Sequence, residues 1–343
     1  MWVKAIWCAA IWRGKKGKRM NQMNDSLLEG KNLTREFVQG RSGTVHAVSD
    51  VSVFLREGET LGLVGESGCG KSTLGRLLIR ALSPTSGEVF YRGKSLTGMT
   101  EREFRPLRRN FQMVFQDPYA SLNPRMNVRD LIAEPLTTWR VCASKEETTR
   151  RVLELMRQVH LPEEYAACYP HQFSGGQRQR IGIARAIALD PEVLVCDEPV
   201  SALDVSVQNQ ILNLLGEIRK SRKLTCLFIS HDLSVVRHAA DRVSVMFLGK
   251  ICESGPTEAL YQSPRHPYTA FLLSAVPRPD PRDRHEGMLL TGELPSPIRP
   301  PAGCRFHTRC PYAEERCLRE DPPPVKDGER LVACHHPLPA GRA

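Results

Sequence analysis

The alternation of apolar and polar residues along the chain predicts a series of strands and helices. Residues 44–55 alternate as in a half-buried β-strand, whereas residues 60–64 form a short apolar run typical of a buried one. The predicted strands lie at 44–55, 60–64, 88–91, 110–115, 192–196, 224–229 and 242–247. The predicted helices lie at 72–82, 127–136, 145–160, 176–189, 205–221 and 232–240. Strands that alternate with helices indicate an α/β fold with a mainly parallel sheet covered on both faces.

The net charge of the 343-residue chain is +10, but it is unevenly distributed. Residues 1–20 carry six basic residues and no acid, so the rest of the chain is only slightly basic. This distribution weakens the hypothesis that the whole chain binds nucleic acid. The sequence contains no run of about 18 apolar residues, so no membrane-spanning helix is predicted.

We predict that residues 1–25 form a basic, disordered segment. Alternative interpretations are a membrane-grazing tag or a true start at Met20 or Met23. The apolar residues of this segment precede its charges, which is the reverse of a secretory signal. We therefore expect the chain to stay in the cytosol.

Residues 263–343 differ in composition from the rest of the chain. They contain 15 of the 25 prolines and four of the 11 cysteines, and the four cysteines lie in the last 40 residues. A compositional boundary near residue 263 is expected, followed by a region with little regular structure. The other seven cysteines are scattered, and a reducing cytosol makes disulfides between them unlikely.

A glycine-rich loop between a predicted strand and a predicted helix matches the pattern G-x-x-x-x-G-K-[ST]. Such a loop points successive backbone N–H groups at phosphate oxygens, and the start of the helix adds a partial positive charge. We expect Lys71 to bridge the β- and γ-phosphates of a nucleotide and Ser72 to hold Mg²⁺. We take Cys69 as a small residue that fits the loop rather than as a redox group. The predicted nucleotide-binding residues are Gly65, Glu66, Ser67, Gly68, Cys69, Gly70, Lys71, Ser72 and Thr73.

A second part of the site is predicted where the apolar run 193–196 ends in Asp197 and Glu198. In phosphoryl-transfer chemistry the first acid holds Mg²⁺ and the second orients or polarises the attacking water. Carboxylates at a buried strand end are costly unless a metal or a hydrogen-bond donor meets them. The alternative interpretation is a solvated strand end before the turn at Pro199.

The segment Ser174, Gly175, Gly176 and Gln177 precedes a predicted helix and forms a second candidate anion site. One nucleotide has a single γ-phosphate, so two such sites in one chain cannot easily serve the same molecule. A dimer resolves this, because the Ser174 segment of one subunit can close the phosphate site of the other.

Six motifs, GESGCGKST, VFQDP, FSGGQRQRIGIARA, VLVCDEP, SALD and ISHD, occur in the order found in ABC transporter ATPases. The chain resembles this family over residues 26–255. The resemblance implies a P-loop NTPase core of the ABC type with an antiparallel β subdomain and a helical subdomain at about 117–175. It also implies that Glu198, His231 and Gln116 are catalytic, that Gln116 joins Ser72 and Asp197 around Mg²⁺, and that Asp204 acts across the dimer. Phe37 is the candidate for stacking on adenine, with core packing as the alternative.

Residues 263–343 resemble the C-terminal extension of oligopeptide/dipeptide importer ATPases, through HPYT and the cysteine-rich segment. The boundaries expected from the resemblance are 26–262 for the nucleotide-binding domain and 263–343 for the Pro/Cys-rich extension. The implied function is ATP hydrolysis coupled to uptake of dipeptides or oligopeptides, with a nickel or glutathione importer as the alternative. The implied partners are a second homologous ATPase subunit in a heterodimer, two transmembrane permease subunits and an extracytoplasmic peptide-binding protein. The implied location is the cytoplasmic face of the inner membrane, as a peripheral subunit.

Cys304, Cys310, Cys317 and Cys334 have spacings that suit a four-coordinate thiolate site. The resemblance implies a [4Fe–4S] cluster, since importer ATPases of this kind carry a four-cysteine iron–sulfur site in the tail. Zinc is the second alternative, because His307, His335 and His336 are further candidate zinc ligands. Buried thiols without a metal are the third alternative.

Two other functions fit the motifs less well. A soluble ABC-type ATPase that acts on nucleic acid is supported only by the basic charge, so we expect no nucleic-acid partner. A small-molecule kinase with the same phosphate loop does not account for FSGGQ or SALD.

Overall fold

A computed structural model describes residues 26–40, 43–276 and 293–339. The predicted basic segment 1–25 lies outside the described residues. The strands of the described part are β1 Ser26–Val38, β2 Thr44–Arg56, β3 Thr60–Val64, β4 Ser86–Tyr91, β5 Lys94–Ser95, β6 Phe111–Val114, β7 Val193–Asp197, β8 Thr225–Ser230, β9 Arg242–Phe247, β10 Lys250–Pro256, β11 Val325–Asp327 and β12 Arg330–Val332.

The helices of the same residues are α1 Lys71–Leu78, α2 Glu101–Phe104, α3 Pro118–Ser121, α4 Val128–Thr138, α5 Lys145–Gln158, α6 Gly175–Ile187, α7 Val205–Arg222, α8 Leu233–Ala239, α9 Thr257–Gln262, α10 Pro267–Ser274 and α11 Glu315–Arg319. Short 3-10 segments lie at Arg105–Asn110, Glu163–Ala167, Pro170–Gln172 and His307–Arg309. Every strand and helix predicted from the apolar pattern overlaps one of these elements.

Two sheets organise the described residues. An antiparallel sheet has the order β2-β1-β4-β5, and a larger mixed sheet has the order β11-β12-β10-β9-β3-β8-β7-β6. In the larger sheet β6, β7, β8, β3 and β9 run parallel, whereas β10, β12 and β11 are joined by antiparallel pairs. The predicted α/β fold with an antiparallel β portion is therefore confirmed.

Two hydrophobic cores hold these layers together. One core lies between the larger sheet and the helices α4 to α8, and the other joins the antiparallel sheet to α1 and to the opposite face of β3, β7 and β8. The central strands are buried along their whole length, which explains their continuous apolar sequences. Their parallel direction brings the loops after β3, β6, β7 and β8 to one edge of the sheet.

Strand β1 was not predicted, because bulges interrupt its pattern. Leu27 and Leu28 are both buried, and Asn32 has a left-handed backbone with φ of 49°. The pairing of β1 with β2 shifts register at several points between Ser26 and Glu36. A strand of this kind buries neighbouring residues on one face and so loses the alternation of period two.

The described part of residues 263–343, which we call the extension, packs against the larger sheet. Strand β12 pairs with β10 through Glu253 and Val332, and β11 pairs with β12 at the edge of the sheet. Phe306 is buried with its ring centroid 5.3 Å from that of Phe247 on β9. The extension also contains α10 and α11, so it has more regular structure than its composition predicts.

Candidate nucleotide-binding site

The glycine-rich loop joins β3 to α1, and two of its glycines are required by the backbone. Gly65 has φ of 154° and Gly70 has φ of 104°. A Cβ atom at Gly65 would lie 2.0 Å from the Met246 carbonyl oxygen, and one at Gly70 would lie 2.0 Å from the Ala47 carbonyl oxygen. The loop therefore packs its backbone directly on neighbouring strands, which only glycine permits at these positions.

Lys71 begins α1 and turns its side chain back over the loop. Its Nζ donates to the carbonyl oxygens of Gly65 at 2.7 Å and Glu66 at 2.9 Å. The side chain is buried, so its positive charge is concentrated at the mouth of the loop. Cys69 is also buried, and burial raises the pKa of its thiol, which fits its interpretation as a small packing residue.

Ser72 and Asp197 meet beside the loop. The Ser72 hydroxyl donates to Asp197 Oδ1 at 2.7 Å, and Asp197 is 2% exposed at the end of β7. Burial raises the pKa of the Asp197 carboxyl, against the lowering effects of the Ser72 hydrogen bond and of Arg76. A carboxylate removed from water in this way favours a cation next to it.

Glu198 is held at the same edge by residues from the loops that follow β6 and β8, the two strands on either side of β7. Its Oε2 accepts a hydrogen bond from Gln116 Nε2 at 2.9 Å and lies 3.4 Å from His231 Nδ1. Its backbone is left-handed, with φ of 45°, and its N–H donates to the Ile229 carbonyl oxygen. A non-glycine residue in this conformation is uncommon and here aims the carboxylate away from the sheet.

An open cavity of about 590 Å³ lies at this edge. Its lining residues are Ser67, Gln116, Asp117, Glu198, Ser201, Ala202 and His231. The structure thus brings together the loop, the two acids, Gln116 and His231, all of which the sequence predicts as site residues.

The Ser174 segment, residues 174–177, forms the N-cap and first turn of α6. The Ser174 hydroxyl accepts from the Gln177 N–H at 3.4 Å, and Gln177 Oε1 accepts from the Ser174 N–H at 3.0 Å. Gly176 allows α6 to approach α7, because a Cβ there would lie 2.4 Å from Val207 Cγ1. Gly175 packs near Leu203. Among the described residues, this segment does not line the cavity at Glu198.

Asp204 and Phe37 also lie apart from the cavity lining. Asp204 caps α7 by accepting from the Val207 N–H at 3.0 Å and the Ser206 hydroxyl at 2.7 Å, and these hydrogen bonds lower its pKa. Phe37 is half-buried on β1, and the Arg35 guanidinium lies 4.7 Å from its ring centroid.

The family of the chain is shown by its similarity to known proteins. A family model described as ABC transporter matches residues 48–201, and one described as oligopeptide/dipeptide transporter, C-terminal region, matches residues 252–317. The putative oligopeptide transport ATP-binding protein YkfD of Bacillus subtilis (strain 168) is 53% identical over 313 residues, which are 90% of this chain and 95% of that protein. The chain belongs to the ABC transporter ATPase family.

Two further similarities agree with this assignment. The di/tripeptide transport ATP-binding protein DppF of Pseudomonas aeruginosa (strain UCBPP-PA14) is 50% identical over 91% of this chain and 98% of its own. A dimeric structure of a post-hydrolysis state of the ATP-binding cassette MJ0796, bound to ADP and Pi, superposes with a TM-score of 0.62. Its sequence identity is 30%, and the match covers 67% of this chain and 98% of that one. The ABC family implies ATP as the nucleotide and Mg²⁺ as its metal ion.

No helix in the described part of this ABC ATPase is long and apolar enough to cross a membrane.

The predicted iron–sulfur or zinc centre in the extension of this ABC ATPase is wrong. Residues 26–40, 43–276 and 293–339 contain no group of three or more His, Cys, Asp or Glu side chains that could hold a metal ion. The four cysteines, Cys304, Cys310, Cys317 and Cys334, are free thiols that line a cavity of only about 10 Å³. Burial raises the pKa of Cys304 to about 11 and that of Cys334 to about 12. Suitable spacing along the sequence therefore did not translate into a metal site.

Two residues near the loop were not singled out as site residues by the sequence analysis. Arg76 lies on α1 with its Nη2 3.9 Å from Asp197 Oδ2, and its spacing of four residues from Ser72 could have indicated it. Tyr268 belongs to the HPYT segment, and its hydroxyl oxygen accepts from the Glu66 N–H at 3.0 Å. Nothing in the local pattern around Tyr268 points to a residue 202 positions earlier.

Proposed function

We propose that the chain is the ATP-hydrolysing subunit of an ABC importer that takes up dipeptides or oligopeptides. The observation that carries the enzymatic part is the convergence of Lys71, the Ser72–Asp197 pair and Glu198 at one edge of the sheet. The peptide substrate is supported by the names of the relatives, which are oligopeptide and di/tripeptide transport proteins, and by the match to the oligopeptide/dipeptide transporter C-terminal region.

The loop and Lys71 would bind the nucleotide phosphates. Backbone N–H groups of residues 65–73 and the start of α1 supply hydrogen bonds and partial positive charge. Lys71 would exchange its bonds to the Gly65 and Glu66 carbonyl oxygens for bonds to β- and γ-phosphate oxygens. The buried ammonium group then offsets phosphate charge that has itself left water.

Ser72, Asp197 and Gln116 offer oxygen ligands of the kind that Mg²⁺ prefers, and the buried Asp197 carboxylate calls for a cation. When bound, Mg²⁺ would neutralise charge on the β- and γ-phosphates. These residues thereby hold the nucleotide in one orientation relative to Glu198.

Glu198 would orient the attacking water and accept its proton. Its carboxylate is fixed by Gln116 and His231, which follow β6 and β8, so it faces the cavity in a defined direction. His231 can in addition contact the γ-phosphate. Positioning of this kind accounts for most of catalysis in phosphoryl transfer.

The Ser174 segment would act on the nucleotide of a second ATPase subunit. It presents a capped helix start and does not line the described cavity of its own chain. Asp204, which begins α7 beside it, would communicate across the same dimer. The dimeric state of the MJ0796 cassette supports this arrangement, and we extend it to a heterodimer with a homologous subunit.

The remaining assembly follows from the importer function. Two transmembrane permease subunits would carry the substrate, an extracytoplasmic peptide-binding protein would deliver it, and this chain would lie peripherally on the cytoplasmic face of the inner membrane. Residues 26–262 would form the nucleotide-binding domain, with a helical subdomain at about 117–175, and residues 263–343 the extension.

The test is ATP-dependent closure of the subunit pair. Glu198→Gln should bind ATP, hydrolyse it at least about 100-fold more slowly and accumulate as a closed ATP-bound dimer, measured by light scattering with ATP and with ADP. The exposed Glu217→Gln on α7 is the control and should behave as wild type. Unchanged hydrolysis in Glu198→Gln would overturn the catalytic role. Failure of the assembled transporter to take up labelled di- to pentapeptides would overturn the substrate class.

A further inference from the structure

The extension holds the phosphate loop from outside through one residue, Glu66. Arg309 Nη1 lies 3.0 Å from Glu66 Oε1 and 2.9 Å from Glu66 Oε2. The Tyr268 hydroxyl oxygen accepts from the backbone N–H of the same glutamate at 3.0 Å. Two side chains from a region more than 200 residues away therefore fix both the backbone and the carboxylate of a loop residue.

The Tyr268 side chain is enclosed by aromatic rings at the point where it makes this contact. The residue is 0% exposed, and its ring centroid lies 4.7 Å from that of Phe247 and 5.2 Å from that of Phe306. Burial raises the pKa of the phenol, so the hydroxyl stays neutral. A buried, neutral hydroxyl at a fixed position can accept a hydrogen bond from one backbone N–H, here that of Glu66.

The start of α10 is tied to the sheet that carries the loop. The Tyr268 N–H donates to His266 Nδ1 at 3.0 Å. Glu253 on β10, 0% exposed, accepts from the Arg265 N–H at 3.1 Å and the His266 N–H at 2.9 Å. Because β10 is separated from β3 only by β9, the tyrosine is positioned against the same sheet that leads into the loop.

Arg309 makes more than a surface ion pair. Its side chain is 11% exposed and that of Glu66 is 24% exposed, so the pair is largely shielded from water. Ion pairs that are shielded and hydrogen-bonded interact more strongly than exposed ones, and removal of one partner leaves the other unpaired.

Lys71 holds the Gly65–Glu66 segment from its other, inner side. Lys71 Nζ donates to both carbonyl oxygens there, and these are the bonds that the lysine must release to reach a phosphate. Once they are released, Glu66 is still held by Tyr268 and Arg309 from the extension, and within the loop by the Cys69 N–H, which donates to the Glu66 carbonyl oxygen at 3.3 Å. A loop that keeps its shape at this step avoids the cost of ordering the backbone on binding.

We propose that Tyr268 and Arg309 are positioning residues of the nucleotide site, which hold the loop at Glu66 in its phosphate-binding shape when Lys71 turns to the nucleotide. The inference rests on the proposed ATP-binding function of the loop. Neither residue contacts a reacting atom, so the expected effect is on ATP affinity and KM rather than on kcat.

The experiment uses the full-length chain, titrated with a fluorescent ATP analogue and Mg²⁺, together with steady-state hydrolysis of ATP. Tyr268→Phe, which keeps the buried ring, should weaken binding about threefold, and Arg309→Gln about tenfold, with KM raised to match and kcat within about twofold of wild type. Arg309→Lys should recover part of the loss. The controls Tyr312→Phe and Arg316→Gln remove matched groups from exposed sites of the same extension and should change nothing.

A double-mutant cycle separates positioning from general damage. In a Glu66→Gln background, Arg309→Gln should have no further effect on affinity, because its partner is already lost. Equal effects of Arg309→Gln in both backgrounds would overturn the inference.

The outcomes distinguish this inference from the proposed function. If wild type binds the analogue, Lys71→Ala does not, and Tyr268→Phe and Arg309→Gln bind like wild type, the inference is overturned and the proposed function stands. A fall in kcat at constant KM would also overturn it. If wild type itself fails to bind, both the proposed function and the inference fall.

Discussion

Strands β3, β7 and β8 bury every one of their residues, whereas the described part of the extension buries scattered side chains such as Phe306 and Cys317. The strands are fixed by a continuous apolar pattern, so the residues that follow them are delivered to the site by the sheet itself. Besides the β12–β10 pairing and the packing of Phe306, the extension is held by single long-range contacts, such as Tyr268 to Glu66 and Arg305 to the Leu248 carbonyl oxygen. A region held by individual contacts is more sensitive to one substitution, although it lies farther from the chemistry.

The strongest test on the nucleotide side removes Lys71. Lys71→Ala should weaken ATP binding by about 100-fold or more, because two charge-assisted hydrogen bonds to phosphate are lost. Equilibrium titration with a fluorescent ATP analogue measures the change, and the exposed Lys145→Ala on α5 is the control. Binding within threefold of wild type would contradict the assignment of the loop.

The corresponding test in the extension removes its largest anchor. Phe306→Ala should reduce the free energy of unfolding by about 3–5 kcal/mol, since it opens a cavity between Phe247 and Tyr268. Chemical denaturation measures the loss, and Leu318→Ala, whose side chain is 47% exposed, should cost less than about 1 kcal/mol. Equal losses in the two variants would show that the extension is not anchored through Phe306.

A pH experiment examines the turn that carries Tyr268. Burial lowers the pKa of His266 from 6.5 to about 3, so the folded chain keeps this ring neutral while the unfolded chain protonates it. The neutral, buried ring therefore leaves the unfolding free energy at its full value above about pH 6.5, and the unfolding free energy decreases as the pH falls toward 3. Between pH 7 and pH 5, wild type should therefore lose about 2 kcal/mol of unfolding free energy through His266.

The variant His266→Gln should be less stable at pH 7 but should lack this part of the pH dependence. Burial raises the pKa of the neighbouring Glu253, which acts in the opposite direction, so the comparison is between variant and wild type at each pH. The exposed His238→Gln should retain the wild-type slope. An unchanged slope in His266→Gln would contradict the neutral, buried state of the ring.

The smallest expected effect separates two roles of Asp204. Asp204→Ala should cost about 1 kcal/mol of unfolding free energy through loss of the α7 cap, whereas Asp204→Asn should retain the cap. If Asp204 also acts across the dimer, Asp204→Asn should still slow ATP hydrolysis by the assembled pair. Hydrolysis at the wild-type rate in Asp204→Asn would restrict Asp204 to its structural role.

The same contrast explains what could be predicted from the sequence. The buried strands were predicted to within about one residue of their ends, and the glycine-rich loop was recognised because its spacing is local. Strand β1 was missed because the left-handed Asn32 and its bulges break the alternation. The contacts of Tyr268 and Arg309 depend on how distant segments pack. The metal centre was wrongly predicted because spacing along the sequence does not determine whether four thiols that line one cavity are arranged to hold a metal ion.

Pairing of β12 with β10 has a further consequence for shortened forms of the chain. With the extension removed, β10 would become the terminal strand of the larger sheet, and its outer backbone groups would face solvent without partners. Exposed strand edges recruit other chains, so a version that ends near residue 262 should self-associate. Beyond its link to the phosphate loop, the extension would therefore also protect this edge of the sheet from pairing with other chains.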